Sequence, residues 1–283
     1  MPTILITGTS RGLGLECVHQ YAEAGWNVLA CARNPAASPS LQAMASAHAG
    51  RVQVLSLDVE DHAAIDRLAR ELDGTAIDVL LNSAGTMGNG SFAKDGLAFG
   101  SFGRSDYKDW ETIFRLNVFG PMKMAEAFVG HVARSNQKKI VTLTSMLGSV
   151  GINRIGGLYA YRASKAAVNA MMKSMAIDLA KSHGIAATAL HPGWVRTDLG
   201  GPQADIDAPA SVAGMRKVID ALTLETAGRF WVYDGSELPW WGRIRNTSST
   251  WSYGSDRTPR KSCRWLTDLR GPALQGRQGL RDL

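Results

Sequence analysis

Cysteine is scarce in this chain: Cys17, Cys31 and Cys263 are the only three in 283 residues. Their odd number and lack of metal-ligand spacing exclude a disulfide framework and point to two buried thiols and one tail thiol in a reducing compartment. Histidine is thin too, and His19, His48, His62, His131, His183 and His191 are scattered, so no zinc site is expected. No apolar run approaches the roughly eighteen residues of a membrane span. The start, MPTILITGTS, carries no basic n-region, and its apolar stretch is too short for a signal peptide. The expectation is a cytoplasmic protein with no metal and no membrane partner.

What remains is an ordinary globular composition, 45% hydrophobic and 20% charged. The formal charge is +6, but it is unevenly placed. Between Trp241 and Leu283 nine basic residues face three acidic ones, which leaves residues 1–240 electrically balanced. That last stretch has no Val, Met, Phe or Glu and cannot build a core of its own. The expected organisation is a domain over 1–240 and a basic, disordered extension over 241–283, read as out-of-frame translation past an ancestral stop. Nucleic-acid binding through the Arg-rich tail, with Trp251 and Trp265 stacking on bases, is the competing reading; the tail holds no folded reading motif.

Short apolar runs alternate with longer amphipathic ones. Ile4–Thr7, Val28–Ala32, Val52–Leu57, Val79–Leu81, Ile140–Thr144 and Ala186–Leu190 read as strands buried on both faces, with a seventh at Arg229–Tyr233. Gly14–Ala24, Ser40–His48, Asp61–Leu72, Tyr107–Arg134, Tyr161–Lys181 and Pro209–Thr226 read as helices between them. Parallel strands need crossovers, so the pattern predicts an α/β fold: a doubly wound, mostly parallel Rossmann sheet of six to seven strands with helices on both faces. Thr86–Arg104, rich in glycine, reads as a long loop at the sheet's carboxyl edge.

The first strand runs into Thr7-Gly8-Thr9-Ser10-Arg11-Gly12-Leu13-Gly14 and then a helix. Glycines let the backbone approach a pyrophosphate, whose charge a helix N-terminus favours. The second strand ends in Ala32-Arg33, where a free ribose 2′-hydroxyl would call for a carboxylate. Arg33 and Arg11, with no acid nearby in sequence, suit a 2′-phosphate and favour NADP(H); the alternative is a solvated Arg33. Asp58, followed by Val59, is placed to accept from an adenine amino group, and Asn82 either lines the same edge or ties neighbouring strands. Tyr161 and Lys165, four apart, share one helix face, where a lysine ammonium would lower the tyrosine pKa and fit it for proton transfer.

Together, Thr7-Gly8-x-x-x-Gly12-x-Gly14, Asn82-x-Ala84-Gly85, Asn117, Ser145, Tyr161-x-x-x-Lys165 and Pro192-Gly193 resemble the short-chain dehydrogenase/reductases of the undivided, single-domain type. Leu147-Gly148-Ser149, Tyr159 to Lys165 and His191 to Asp198 are similar to its sniffer-type carbonyl reductases and C-factor-like proteins. The resemblance implies Tyr161 as general acid or base and Lys165 as the residue that bonds the nicotinamide ribose. It implies Ser145 as the hydrogen-bond donor to the substrate carbonyl, and Asn117 as holder of a water in a proton relay. Thr197, and Val195 through its backbone, would bond the nicotinamide carboxamide. The cofactor-binding set is then Gly8, Ser10, Arg11, Gly12, Leu13, Gly14, Arg33, Asp58, Val59, Asn82, Ala84, Gly85, Tyr161, Lys165, Pro192, Gly193, Val195 and Thr197. The resemblance also implies a homodimer through the Tyr107–Arg134 helix and the helix that carries Tyr161.

The sequence departs from the family pattern in places. Ser145 lies sixteen residues before Tyr161 and Ser149 twelve, where the family's serine sits somewhat nearer than Ser145 does. Gly151–Gly157 looks like a short insertion, and Ser145 is preferred because it ends the strand. Ser83 stands where a second asparagine is common, and Tyr159 has Ala163 rather than lysine four residues on. Met87, Phe92, Met146 and Trp194 are candidates for the substrate pocket or for core packing, and His191 reads as structural. The expected function is NADPH-dependent reduction of an aldehyde or ketone to an alcohol; the alternative is a non-catalytic NADP-binding regulatory or signalling protein on the same fold.

Overall fold

Seven strands form the centre of the molecule: β1 (Thr3–Thr7), β2 (Asn27–Ala32), β3 (Val52–Ser56), β4 (Val79–Asn82), β5 (Lys139–Leu143), β6 (Ala186–His191) and β7 (Phe230–Val232). The structure is a computed structural model and describes residues 1–90 and 100–240. Expectations for Phe92, for part of the Thr86–Arg104 loop, for Cys263 and for the 241–283 extension lie outside the described residues. The sheet order is β3-β2-β1-β4-β5-β6-β7 and every pairing is parallel.

Period-two alternation divides the core between the two faces. Leu5, Leu29, Leu80 and Ile140 pack on α3 (His62–Glu71), α5 (Gly120–Ala133) and α6 (Tyr159–His183). Ile4, Ile6, Val28 and Val141 pack on α1 (Gly12–Glu23), α2 (Pro39–Ala47) and α7 (Ala208–Asp220). Each fully buried Leu, Ile or Phe contributes about 1.5–3 kcal/mol. The strand order reverses between β1 and β4, so the loops leaving these two strands diverge and open a crevice at the carboxyl edge.

Two helices differ from the sequence expectation. The stretch read as one helix over Tyr107–Arg134 is α4 (Tyr107–Phe114), a π turn at Arg115–Phe119 and α5. Pro121 has no N–H, and its ring clashes with the carbonyl four residues back, which belongs to Asn117; a widened turn relieves that clash. The helix expected over Pro209–Thr226 stops at Asp220. Its last carbonyls, Ile219 and Asp220, are taken by the Lys139 ammonium at 2.8 and 3.0 Å, and Thr223–Thr226 closes a separate turn.

Candidate functional site

The crevice is built first from backbone. Thr7 Oγ1 accepts the N–H groups of Ser83 and Ala84, both at 3.1 Å, and so ties β1 to the loop after β4. Thr9 donates to the Cys31 carbonyl, and Ser38 Oγ donates to the Ser10 carbonyl at 2.8 Å. Gly8 and Gly14 leave no room for a side chain: a Cβ would lie 2.7 Å from Ala84 Cα at Gly8, and 2.1 Å from the Gly8 oxygen at Gly14. The N-terminus of α1 has no side-chain cap and no acid in its first turn, so its first amides have no side-chain acceptor of their own. Asn82 Oδ1 is buried there with no partner among the described residues. The glycine turn and the uncapped helix N-terminus fit the phosphates of a dinucleotide, whereas Asn82 Oδ1, an acceptor, calls for a donor.

The outer ends of that cradle differ from expectation. Arg11, expected to have no acid nearby, forms a 3.0 Å ion pair with Asp198, an exposed contact spanning 187 residues that adjacency in sequence does not reveal. Arg33 stays exposed at the end of β2. Asp58 Oδ1 accepts the Glu60 N–H at 3.0 Å, and Val59 packs under Gly120. Asn82 Nδ2 donates to Thr142 Oγ1 at 3.2 Å, the strand tie that was one of its two readings. Across the crevice the Pro192-Gly193 turn follows β6, and Thr197 bridges its own loop by accepting the Gly200 N–H. A Cβ on Gly12 would lie 3.5 Å from Thr197, so the two sides of the crevice meet there.

Two of the catalytic candidates meet behind Gly85, where a Cβ would lie 3.5 Å from Asn117 Oδ1 and 3.6 Å from Lys165 Nζ. Asn117 sits in the π turn and is 1% exposed. Its Oδ1 accepts the Thr86 N–H at 2.8 Å, and its Nδ2 donates to the Thr86 carbonyl and to Ser164 Oγ. Both amide hydrogens are therefore committed to protein, and one Oδ1 lone pair remains for a water. Ser164, adjacent to Lys165 in sequence, was missed because a small hydroxyl inside a helical run carries no signal.

Ser145 caps a short 3₁₀ turn over Met146–Gly148 by accepting the Leu147 N–H, and its hydroxyl acts on Tyr161 by lowering the phenol pKa. Ser149 instead donates to the Pro239 carbonyl at 2.6 Å, which directs it away from the chemistry. Burial pushes the Tyr161 phenol up to about 12, with the Ser145 hydroxyl opposing. Burial likewise pushes the Lys165 ammonium down to about 8. The expected lowering of Tyr161 by Lys165 is not what this geometry produces. Lys165 Nζ lies 5.8 Å from the Tyr161 ring centroid and donates to the Leu143 carbonyl at 2.9 Å, so removal from water dominates.

Tyr161 opens on a cavity of about 290 Å³. Met87 lines it as expected, together with Trp110, Ile113 and Leu158 and, at the rim, Asp109 and Arg104. Met146 and Trp194 are not among its walls. Tyr159, the tyrosine without a lysine partner, is a wall residue and stacks edge-on to Phe102. Among the described residues no group of His, Cys, Asp and Glu can hold a metal ion, and no helix is long and apolar enough to cross a membrane.

Comparison with known proteins agrees with this layout. The chain is 42% identical over 164 residues to the C-signal of Myxococcus xanthus, covering 58% of this chain and 93% of that protein. The carbonyl reductase Sniffer of D. melanogaster superposes with a TM-score of 0.76 at 31% identity, covering 85% of this chain and all of that one. The NADPH-bound carbonyl reductase from chicken fatty liver superposes with a TM-score of 0.73 at 28% identity, over 85% and 99% of the two chains. A family model, that of the short chain dehydrogenases, matches residues 2–206. The chain belongs to the short-chain dehydrogenase family.

Proposed function

We propose that the protein reduces an aldehyde or ketone to an alcohol with NADPH. The observation that carries this reading is Tyr161: buried, with the Ser145 hydroxyl lowering its pKa against that burial, and opening on a cavity of about 290 Å³. A phenol held up near 12 keeps its proton at neutral pH and is a donor, as protonation of a nascent alkoxide requires. Ser145 orients the carbonyl oxygen toward that proton. Lys165, charged below about 8, places an ammonium beneath the site, and Asn117 fixes the Thr86 backbone beside it.

The cradle from Gly8 to Gly14, with Asp58, Val59, Ala84, Gly85, Pro192, Val195 and Thr197, would hold NADP(H), with Arg33 facing its 2′-phosphate. When bound, that group supplies the hydride. Arg11 reaches the phosphate only by leaving Asp198. Similarity to reductases described as NADPH-bound carbonyl reductases supports the cofactor and the substrate class. The Tyr161→Phe variant should lose at least about a hundredfold in turnover, the scale of positioned acid catalysis, while NADPH still quenches or shifts its fluorescence as in the wild type. Undiminished turnover in that variant rejects the mechanism.

Similarity to the C-signal favours a second reading, an NADP-binding signalling protein. A panel of aldehydes, quinones and cyclic ketones against NADPH consumption, with NADH alongside, separates the two. Tight NADPH binding with no turnover across the panel selects the signalling protein.

A further inference from the structure

Ten residues, 149–158, with the Gly151–Gly157 insertion among them, separate the turn that Ser145 caps from the start of the helix that carries Tyr161. A connection of that length does not by itself fix the distance between the two hydroxyls. One side chain spans it. Arg162, adjacent to Tyr161 in the first turn of α6, donates from Nε to the Gly157 carbonyl at 3.1 Å and from Nη1 to the Leu147 carbonyl at 3.3 Å. Leu147 is also the residue whose N–H donates to Ser145 Oγ, at 3.2 Å. The two ends of one residue thus hold the Ser145 hydroxyl and the Arg162 guanidinium.

The setting is unfavourable for a cation that only stabilises. Arg162 is half-buried, its Nη2 is buried without a partner, and no carboxylate among the described residues pairs with it. Burial holds its pKa below the usual value. A charge removed from water with only backbone carbonyls as partners is often bettered by a packed apolar residue, so stability alone does not account for it. Deeper along the same helix face two further contacts fix the turn. Gly148 lies against the Lys165 backbone, where a Cβ would be 2.6 Å from the carbonyl carbon. Thr144 Oγ1 donates to Asn169 Oδ1 at 2.7 Å. Arg162, Lys165 and Asn169 are spaced three and four apart and share that face. Of these, Arg162 lies next to Tyr161 and also grips the insertion.

We propose that Arg162 is a positioning residue: by tying the Leu147 carbonyl and the end of the insertion to the first turn of α6, it sets the Ser145 hydroxyl against Tyr161. The proposal rests on the reading that these two hydroxyls act together on a carbonyl. The test compares full-length wild type, Arg162→Met and Arg162→Lys, with NADPH and whichever carbonyl the wild type turns over best. Misplacement by about 1 Å can cost on the order of a hundredfold. The Met variant should accordingly lose about 10- to 100-fold in kcat, with the Kd for NADPH changed less than about twofold. The Lys variant, which reaches one carbonyl, should recover part of the loss. Amide hydrogen exchange over residues 146–149 should quicken in the Met variant while the rest of α6 keeps its protection. That last measurement needs no turnover, so a wild type inactive on every carbonyl rejects the reductase reading and leaves the clamp to be decided by exchange alone. Unchanged exchange at 146–149, full kcat in the Met variant, or a parallel loss of kcat, NADPH affinity and global stability each overturns the proposal.

Discussion

At Tyr161 two effects oppose each other: removal from water raises the phenol pKa, and the Ser145 hydroxyl lowers it. Burial wins, and the same burial drives Lys165 the other way, so the pair sits neutral beside charged at pH 7. The contrast with Arg33 is one of exposure. Its guanidinium stands in solvent at the end of β2, so its effect on binding must come from a charge-assisted bond to the cofactor's extra phosphate. Such bonds contribute about 1.5–3 kcal/mol. Isothermal titration of Arg33→Ala should therefore show NADPH affinity falling by about ten- to a hundredfold while NADH affinity is unchanged; an equal fall for both cofactors removes Arg33 from the 2′-phosphate.

Among the elements, the helix that carries Tyr161 and the last helix end by unlike devices. The helix α6 runs 25 residues and ends on Gly184 in the left-handed region, φ +64°, with Lys181 and His183 in its last turn. By contrast α7 ends on a lysine from another element, since Lys139 of β5 reaches across the sheet to the Ile219 and Asp220 carbonyls. Lys139→Met leaves those carbonyls without their donor and should cost about 1–3 kcal/mol in urea unfolding with an unchanged m-value. NADPH binding should stay as in wild type, because the cap lies at the opposite edge of the sheet from the cradle. No change in the urea midpoint would show that water replaces the lysine. In the chain the strands and most helices are legible, because the strands read as short apolar runs, buried on both faces in β1, β4, β5 and β6 and half-exposed in the edge strand β3, and the helices as longer amphipathic ones. The π turn is not, because it depends on Pro121 meeting the Asn117 carbonyl one turn back.

For the whole molecule, acid stability turns on His191, which lies at the carboxyl end of β6, 7% exposed, with Nδ1 buried and unpartnered among the described residues. Burial pushes its pKa down to about 4, with Lys165 pushing the same way and Asp234 opposing. The unfolded chain takes up this proton near 6.5, and the folded protein refuses it until about 4. Stability from this group is therefore complete above about 6.5 and is lost as pH falls between those values. A shift of that size corresponds to about 3 kcal/mol. Thermal unfolding followed from pH 7 to 4 should fall less steeply in His191→Asn than in wild type; identical slopes would assign the acid sensitivity to the carboxylates instead.

Much of the candidate site could be read from the chain, because its residues are carried at strand ends and on one helix face, where local pattern and chemistry coincide. The glycine loop after β1, Ser145 just beyond β5 and the Tyr161–Lys165 spacing on α6 are of this kind. Their gathering at the carboxyl edge of the sheet follows from parallel strands in the order found. Other features join residues far apart with no local pattern to mark them. Asp198 reaches Arg11 across 187 residues, Lys139 caps a helix eighty residues on, and Arg162 binds backbone carbonyls that any residue type could present. Periodicity along the chain dictates which face of an element is buried, and so the sheet and its edge. Which polar group faces which across that edge depends on distances that exist only once the layers have packed, and those distances decided the pKa values, the ion pair and the clamp.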